Sequence, residues 1–331
     1  VFQSTGNNLG IGSRSLEAVI GGTRNTAIGY HAGMIMTASN STYLGYNAGA
    51  GDDITSNNVV IGMNSYLNGG TGSRNIFIGA ECANVRSAMT DCVGIGYESL
   101  GINVSALQCI GLGAYALNDI TSAINNVIAT GYLSGGNSSG NGCLFYGTES
   151  GRYNSGNNNI IFGNGSISYS SAYNGTESTY IGHGIAPTLL NGSSNVFIGN
   201  GIRSAGSGFP SNCIFIGRNN SVNTDFTNTI SLGTSAFTNC LGTSNVLLGN
   251  FSCTDIGPVS LSQSVILGDS SAVSASTIQK SVILGYNAIP LVATIQDSII
   301  IGENCSAATI LLNNIAIGNG CLTNGGSGCT A

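Results

Sequence analysis

Few residues in this chain carry the functional groups of catalysis or metal binding, and they are scattered. The two histidines, His31 and His183, have no carboxylate or cysteine at the spacing of metal ligands. No Ser/His/Asp set is recognisable, and no paired carboxylates recur in register. The glycine-rich stretch at residues 69–72 lacks the lysine and hydroxyl residue that complete a phosphate-binding loop. The sequence therefore predicts no enzyme activity, no metal and no cofactor.

Composition narrows the class of protein further. The 331 residues include 51 glycines and 4 prolines, with 42% apolar and 7% charged residues. A disordered chain would carry more charge and fewer β-branched residues, so this composition favours a packed fold. No apolar run approaches the ~18–20 residues of a membrane-spanning helix, so we predict no membrane span. The net charge is −6 and Lys280 is the only lysine. Because no basic stripe can bind phosphates, we predict no nucleic-acid binding.

One short unit dominates the chain: Asn or Ser, an apolar residue, any residue, Ile or Leu, then Gly. It recurs about nineteen times at intervals of about seventeen residues. One copy has Thr130 in place of the glycine. A repeat of this length along a whole chain is typical of a solenoid, in which each turn buries its apolar side against neighbouring turns. The sequence therefore predicts an all-β, parallel β-solenoid of about nineteen 17-residue rungs, forming a single continuous domain over residues 1–331.

Alternate residues of each repeat should point to opposite sides of a strand. The residues one and three positions before the glycine are almost all apolar, and we expect them to fill the interior of the coil. The residue two positions before the glycine is also mostly apolar or aromatic. This column includes Phe77, Phe145, Phe197, Phe215, Ile266, Ile283 and Ile300. Because a parallel strand that is apolar on both faces is covered on both faces, we expect this column to form a self-association interface.

Small side chains occupy two further columns, four residues before the glycine and three residues after it. We expect the first to be a corner where Asn and Ser hydrogen-bond backbone from turn to turn, and the second to be a tightly packed corner. Cys92 and Cys109 share the first column, and Cys305 and Cys321 share the second. On adjacent turns their Cα atoms would lie ~5 Å apart, within disulfide range. Two interpretations of these cysteines therefore remain, buried thiols or disulfides between adjacent rungs. No two cysteines have the spacing of a zinc site.

The longest interval between glycines, from Gly163 to Gly182, is the candidate binding loop. It contains Tyr169, Tyr173 and Asn174. Surfaces rich in Tyr, Ser and Asn recognise partners adaptably, and solenoids often place binding in inserted loops. We expect receptor or glycan contact here, with a merely solvated loop as the alternative.

Units such as Asn25 to Tyr30 (NTAIGY), Asn58 to Gly62 (NVVIG) and Asn195 to Gly199 (NVFIG) carry a resemblance. They resemble the head repeats of YadA-type trimeric autotransporter adhesins and the similar repeats of phage and large-virus fibre proteins. The resemblance covers nearly the whole chain and implies a left-handed β-roll assembled as a homotrimer. It also implies that one strand face fills each coil and the other faces the trimer axis. The repeat is longer than in the bacterial heads, and no heptad stalk or anchoring barrel follows, which favours a fibre segment.

We therefore expect a structural fibre or adhesin-head protein, extracellular, on a virion surface or a cell-surface appendage. Its expected partners are copies of itself, as a homotrimer that could extend end to end into a filament, and a host receptor or glycan. The alternative is a monomeric β-solenoid that binds or processes surface carbohydrate. A hexapeptide-repeat helix fits less well, because only one strong strand per rung is evident.

Overall fold

Parallel strands stacked turn upon turn form a β-solenoid in the computed structural model. The structure describes residues 6–51, 56–68, 70–84, 88–101, 105–167, 174–185, 192–204, 210–222, 227–272, 275, 277–289, 294–305 and 310–321. Internal contacts divide the chain into two compact units, Val1–Ala172 and Tyr173–Ala331. That the repeats form one continuous domain stays a prediction.

The first unit contains short strands only, within its described residues. They are β1 (Leu9–Ile11), β2 (Ala18–Val19), β3 (Thr26–Ile28), β4 (Ile35–Met36), β5 (Thr42–Leu44), β6 (Val59–Ile61), β7 (Ile76–Ile78), β8 (Met89–Thr90), β9 (Val93–Ile95), β10 (Ala106–Leu107), β11 (Ile110–Leu112), β12 (Ile124–Asn125), β13 (Ile128–Thr130), β14 (Leu144–Tyr146) and β15 (Ile160–Phe162). The main sheet of this unit takes one strand from each repeat: β1, β3, β5, β6, β7, β9, β11, β13, β14 and β15. Two smaller sheets, β2 with β4 and β8 with β10 and β12, lie elsewhere on the coil.

The second unit follows the same plan. Its strands are β16 (Thr179–His183), β17 (Val196–Asn200), β18 (Arg203–Ser204), β19 (Ile214–Arg218), β20 (Ser221–Val222), β21 (Ile230–Leu232), β22 (Phe237–Leu241), β23 (Val246–Leu248), β24 (Cys253–Ser262), β25 (Val265–Leu267), β26 (Thr277–Gln279), β27 (Val282–Leu284), β28 (Thr294–Gln296), β29 (Ile299–Ile301), β30 (Ile310–Leu312) and β31 (Ile315–Ile317). Its main sheet comprises β16, β17, β19, β21, β23, β25, β27, β29 and β31. A second sheet comprises β22, β24, β26, β28 and β30, and β18 pairs with β20.

Neighbouring strands of each main sheet pair in parallel and in register with the repeat. Val60, for example, is aligned with Tyr43 in the strand before it and with Phe77 in the strand after it. Residues at one position of the repeat therefore stack directly above one another. The parallel β-solenoid predicted from the repeat is confirmed.

The glycine column follows the third residue of each main-sheet strand, with a backbone that only glycine adopts easily. Its φ angles run from 127° at Gly147 to 148° at Gly199. The expectation that Thr130 replaces glycine in one copy is wrong, because Gly131 occupies that place with φ 132°. Thr130 is instead the last residue of β13, aligned with Leu112. The preceding loop is one residue longer, so this strand begins one residue later than the repeat spacing predicts.

The column of small polar residues before each strand is a buried corner, as expected. Asn25 is 1% exposed; its amide nitrogen donates to the carbonyl oxygen of Ala38 at 2.8 Å, and its amide oxygen accepts from the Ser41 backbone N–H at 2.9 Å. Buried polar groups are costly unless hydrogen-bonded, so each such side chain ties two turns together. Where β13 is shifted, Val127 fills the corner in place of Asn126.

The interior is filled mainly by the second residue of each main-sheet strand. Tyr180, Phe197 and Phe215 are fully buried and stack on one another, with ring centroids 5.2 and 5.4 Å apart. Such stacked pairs contribute about 0.5–1.5 kcal/mol beyond the burial of their area. Because the strands stack in register, the residues at this position of the repeat form a continuous core.

Two buried tyrosines in the first unit differ in one hydrogen bond. Tyr66 Oη donates to the Gly70 carbonyl oxygen at 2.9 Å, whereas the buried Tyr43 Oη has no partner among the described residues. The nearby Ser41 hydroxyl already donates to Ser39 O, and burial raises the pKa of Tyr43 well above its usual value.

Tyr43→Phe is therefore expected to raise the free energy of unfolding by about 1 kcal/mol, because a buried unpaired hydroxyl is removed. Tyr66→Phe, its matched control, is expected to lower it by about 1 kcal/mol because a hydrogen bond is lost. Denaturant unfolding of both variants would measure the two shifts. Equal shifts of the same sign would contradict this account.

Candidate functional site

Burial alternates along each main-sheet strand, and it is the second residue, two positions before the column glycine, that points inward. Tyr43 is fully buried in β5 whereas Leu44 is 42% exposed, and Ala27 is fully buried in β3 whereas Ile28 is 36% exposed. The expectation that the residues one and three positions before the glycine fill the interior is therefore wrong. Between the two corners, the side chain of the second strand residue fills the narrow interior of the coil, so the side chains before and after it face outward.

The residues predicted to mediate self-association are consequently core residues of a single coil. Every one of them is 0% exposed: Phe77, Phe145, Phe197, Phe215, Ile266, Ile283 and Ile300. They cannot form an interface between chains without unfolding the coil. The prediction assigned the two strand faces in the wrong order, although it identified correctly which residues share a face.

The two flanking columns form what we call the outer face of each unit. In the first unit the outer face comprises Leu9, Ile11, Thr26, Ile28, Thr42, Leu44, Val59, Ile61, Ile76, Ile78, Val93, Ile95, Ile110, Leu112, Ile128, Thr130, Leu144, Tyr146, Ile160 and Phe162. In the second it comprises Thr179, Ile181, Val196, Ile198, Ile214, Ile216, Ile230, Leu232, Val246, Leu248, Val265, Leu267, Val282, Leu284, Ile299, Ile301, Ile315 and Ile317. All of these side chains are partly or largely exposed, and no residue in either set is charged.

The second sheet of the second unit has a different exterior. Ile278 and Ile295 point inward and are fully buried, while Thr277, Gln279, Thr294 and Gln296 are partly exposed. Among the strands of this sheet whose side chains are described throughout, β30 differs, because it shows apolar side chains outside, with Ile310 60% exposed. In the turns of β26 and β28 the two sides therefore differ in polarity, and the main sheet carries the apolar one.

Ion pairs in the described part of the chain are sparse and lie away from the outer face. In the first unit Arg74 pairs with Asp91 on the next turn, with Nη2 to Oδ2 at 2.9 Å. The hydrogen bond from the Arg74 guanidinium lowers the pKa of the Asp91 carboxyl. Both residues precede a corner and are exposed, so this pair contributes little to stability.

The four cysteines considered as disulfide partners are free thiols; Cys92, Cys109 and Cys305 are buried, as in the buried-thiol interpretation, and Cys321 is partly exposed. Cys92 and Cys109 are fully buried at the polar corner, where the Cys92 thiol donates to Ala106 O as asparagine amides do elsewhere. Cys305 and Cys321 lie on adjacent turns with sulfur atoms 3.7 Å apart, and burial raises the pKa of Cys305 to about 11. Cys253 lies outside both small-residue columns and is disulfide-bonded, which the repeat pattern did not predict.

The candidate binding loop falls largely beyond what the structure describes. Tyr169 and Tyr173 lie outside the described residues, and Asn174 is exposed. Binding through this loop stays a prediction.

No protein-family model matches the chain, and no curated protein matches it either. The resemblance to adhesin-head and fibre repeats therefore stays a prediction based on the motifs. Among the described residues, no helix has the length and apolar character to cross a membrane. The same residues contain no cluster of three or more histidine, cysteine or acidic side chains placed to hold a metal ion. The fold and the site define a β-solenoid repeat protein with an uncharged apolar outer face.

Proposed function

We propose that this protein is a structural fibre or adhesin-head component that assembles with copies of itself through the outer face of its main sheets. The observation that carries the proposal is the polarity difference between the two sides of the same turns. A solvated strand face normally alternates to polar residues, as β26 and β28 of the second sheet do. The main-sheet exterior has no charge and is mostly Ile, Leu and Val, with a few Thr, Tyr and Phe.

The size of the outer face supports self-association. At ~4.8 Å between strands and ~3.3 Å per residue, the outer face of each unit is about 40 Å long and 10 Å wide. That is about 400 Å², as large as the biggest apolar patch on a typical soluble monomer. Apolar patches of this size often mark sites of protein–protein contact, and each unit carries one.

The finer form of the proposal is a homotrimer of left-handed coils with about nineteen rungs per chain. Three copies related by rotation would bury the apolar face along a common axis, and closed symmetry keeps such a self-contact finite. The repeat resemblance supports this number of copies and an extracellular location on a virion or cell-surface appendage. In such an assembly the hydrogen-bonded corners and stacked cores provide the rigidity that a fibre needs.

A pair of matched double variants tests the proposal. Leu284 and Ile301 are aligned neighbours on the outer face, and Thr277 and Thr294 are aligned neighbours on the polar side of the same two turns. Leu284→Asp/Ile301→Asp is expected to dissociate the assembly, because buried unpaired charges cost several kcal/mol. Thr277→Asp/Thr294→Asp adds the same charges at the same spacing and is expected to leave the assembly intact.

Light scattering after size-exclusion chromatography would measure the masses. The native chain and the threonine variant should give about three times the 33.3 kDa chain mass, and the outer-face variant 33.3 kDa. A native chain that is monomeric at micromolar concentration would refute self-association, and a stable dimer would refute the trimer alone. Circular dichroism of both variants confirms that any loss of mass is not unfolding.

A further inference from the structure

Two exposed tyrosines and a half-buried one form a row on successive turns of the first unit. Tyr97 is 41% exposed and Tyr132 is 49% exposed, and Tyr115 lies between them. Ring centroids are 5.3 Å apart for Tyr97 and Tyr115, and 5.9 Å apart for Tyr115 and Tyr132. Neither the core nor the outer face uses these rings, because all three residues follow the strand and lie in the turn.

The geometry of this row differs from that of a pair of parallel, stacked aromatic rings. Tyr30 and Tyr46, also on successive turns, lie almost parallel at 12° and cover each other's faces. In the tyrosine row the interplanar angles are 82° and 88°, so each contact is edge to face. An edge-to-face pair uses the edge of one ring, so faces of that ring stay uncovered by its partner. Tyr97 and Tyr132 are also largely exposed, so the row offers aromatic ring surface to solvent.

Carboxylates flank the row on both sides. Glu98 follows Tyr97 directly and accepts a hydrogen bond from the Asn118 amide at 3.4 Å. Hydrogen bonding to the Glu98 carboxylate raises the pKa of the Tyr97 hydroxyl. The backbone N–H of Glu149 donates to Tyr132 O, which places that residue on the next turn, and its side chain pairs with Arg152 at 3.5 Å. Exposed aromatic ring surface beside hydrogen-bond acceptors suits a ligand with apolar C–H faces and many hydroxyl donors. Acidic neighbours on a chain of net charge −6 disfavour an anionic ligand.

We propose that Tyr97, Tyr115 and Tyr132 form a binding platform for an uncharged oligosaccharide chain. The C–H faces of successive sugar rings stack on the tyrosine faces, and Glu98 and Asn118 accept and donate hydrogen bonds to sugar hydroxyls. Tyr97 and Tyr132 are two turns apart, or about 10 Å at strand spacing, a distance that a few linked sugar rings span. Tyrosine suits this role because it offers a large rigid contact surface at low entropic cost.

Isothermal titration calorimetry on the native assembly tests the proposal, with neutral hexasaccharides of glucose, mannose, galactose and N-acetylglucosamine as probes. At least one of them is expected to bind saturably. Tyr97→Ala/Tyr132→Ala is expected to weaken that binding about tenfold or more, since two of the three aromatic contact surfaces are lost. Tyr97→Phe/Tyr132→Phe, which keeps the rings, is expected to retain most of the affinity.

Tyr286→Ala is the matched control, because it removes a 60% exposed tyrosine from the second unit. It is expected to leave the affinity unchanged. Lack of saturable binding of every neutral hexasaccharide at millimolar concentration would overturn the proposal. So would equal affinity of the native and Tyr97→Ala/Tyr132→Ala proteins, or equal binding of a hexagalacturonate. An unchanged thermal unfolding midpoint in the alanine variant shows that its fold is intact.

Discussion

Gly199→Ala is expected to unfold the turns around it, with a loss of more than about 3 kcal/mol in the free energy of unfolding. Gly199 has φ 148°, and a Cβ built there would lie 1.7 Å from the carbonyl oxygen of Gly217 on the next turn. Two costs add: a strained backbone at about 1–3 kcal/mol and a forced shift of packed backbone at about 1–3 kcal/mol. Because the obstacle is main chain in register, it cannot move without breaking the pairing of β17 with β19.

Gly184→Ala is the control for backbone strain alone. Gly184 also has positive φ, at 59°, but a Cβ there meets nothing within 4 Å. Its expected cost is about 1–2 kcal/mol, the usual penalty for a non-glycine residue in this region. Guanidinium unfolding and limited proteolysis would measure both variants. Similar losses for the two would show that close stacking of the glycine column does not limit stability.

Phe197→Asp is expected to destroy the surrounding coil, whereas Ile198→Asp is expected to leave each chain folded. Phe197 is fully buried between Tyr180 and Phe215, so its replacement removes two ring contacts and buries an unpaired carboxylate. Losing the aromatic side chain alone costs about 3–5 kcal/mol, and burying the charge adds several kcal/mol. Ile198 is the next residue in the same strand but points outward and is partly exposed.

Far-UV circular dichroism and protease resistance would separate the two outcomes. Loss of the β spectrum in Phe197→Asp with its retention in Ile198→Asp is the expected result. The reverse pattern would mean that the strand faces are oriented as the sequence first suggested. Under the proposed function, Ile198→Asp is also expected to weaken self-association while the chain stays folded.

The repeat by itself determined the stacking of this protein. Because the spacing is nearly constant, residues such as Val60 and Phe77 align from turn to turn, and the strand period of two sorts them into columns that share a face. The glycine column and the hydrogen-bonded corner of Asn25 and Ser41 follow from the same periodicity. The residue type at each position was enough to predict the stacking, because each position of the repeat contacts the equivalent position on the next turn.

Only the tertiary structure decided which column points inward. Both faces of each strand are apolar, and the alternation of side chains separates the two faces without indicating which one is buried. It also decided the register around Gly131. The interval between repeat glycines already varies along the chain, so one extra loop residue cannot be recognised from the sequence. The disulfide at Cys253 and the row of Tyr97, Tyr115 and Tyr132 depend on where loops and turns place side chains. A repeat specifies how the turns of a solenoid stack, but the path of the chain between the strands determines which side chains are exposed.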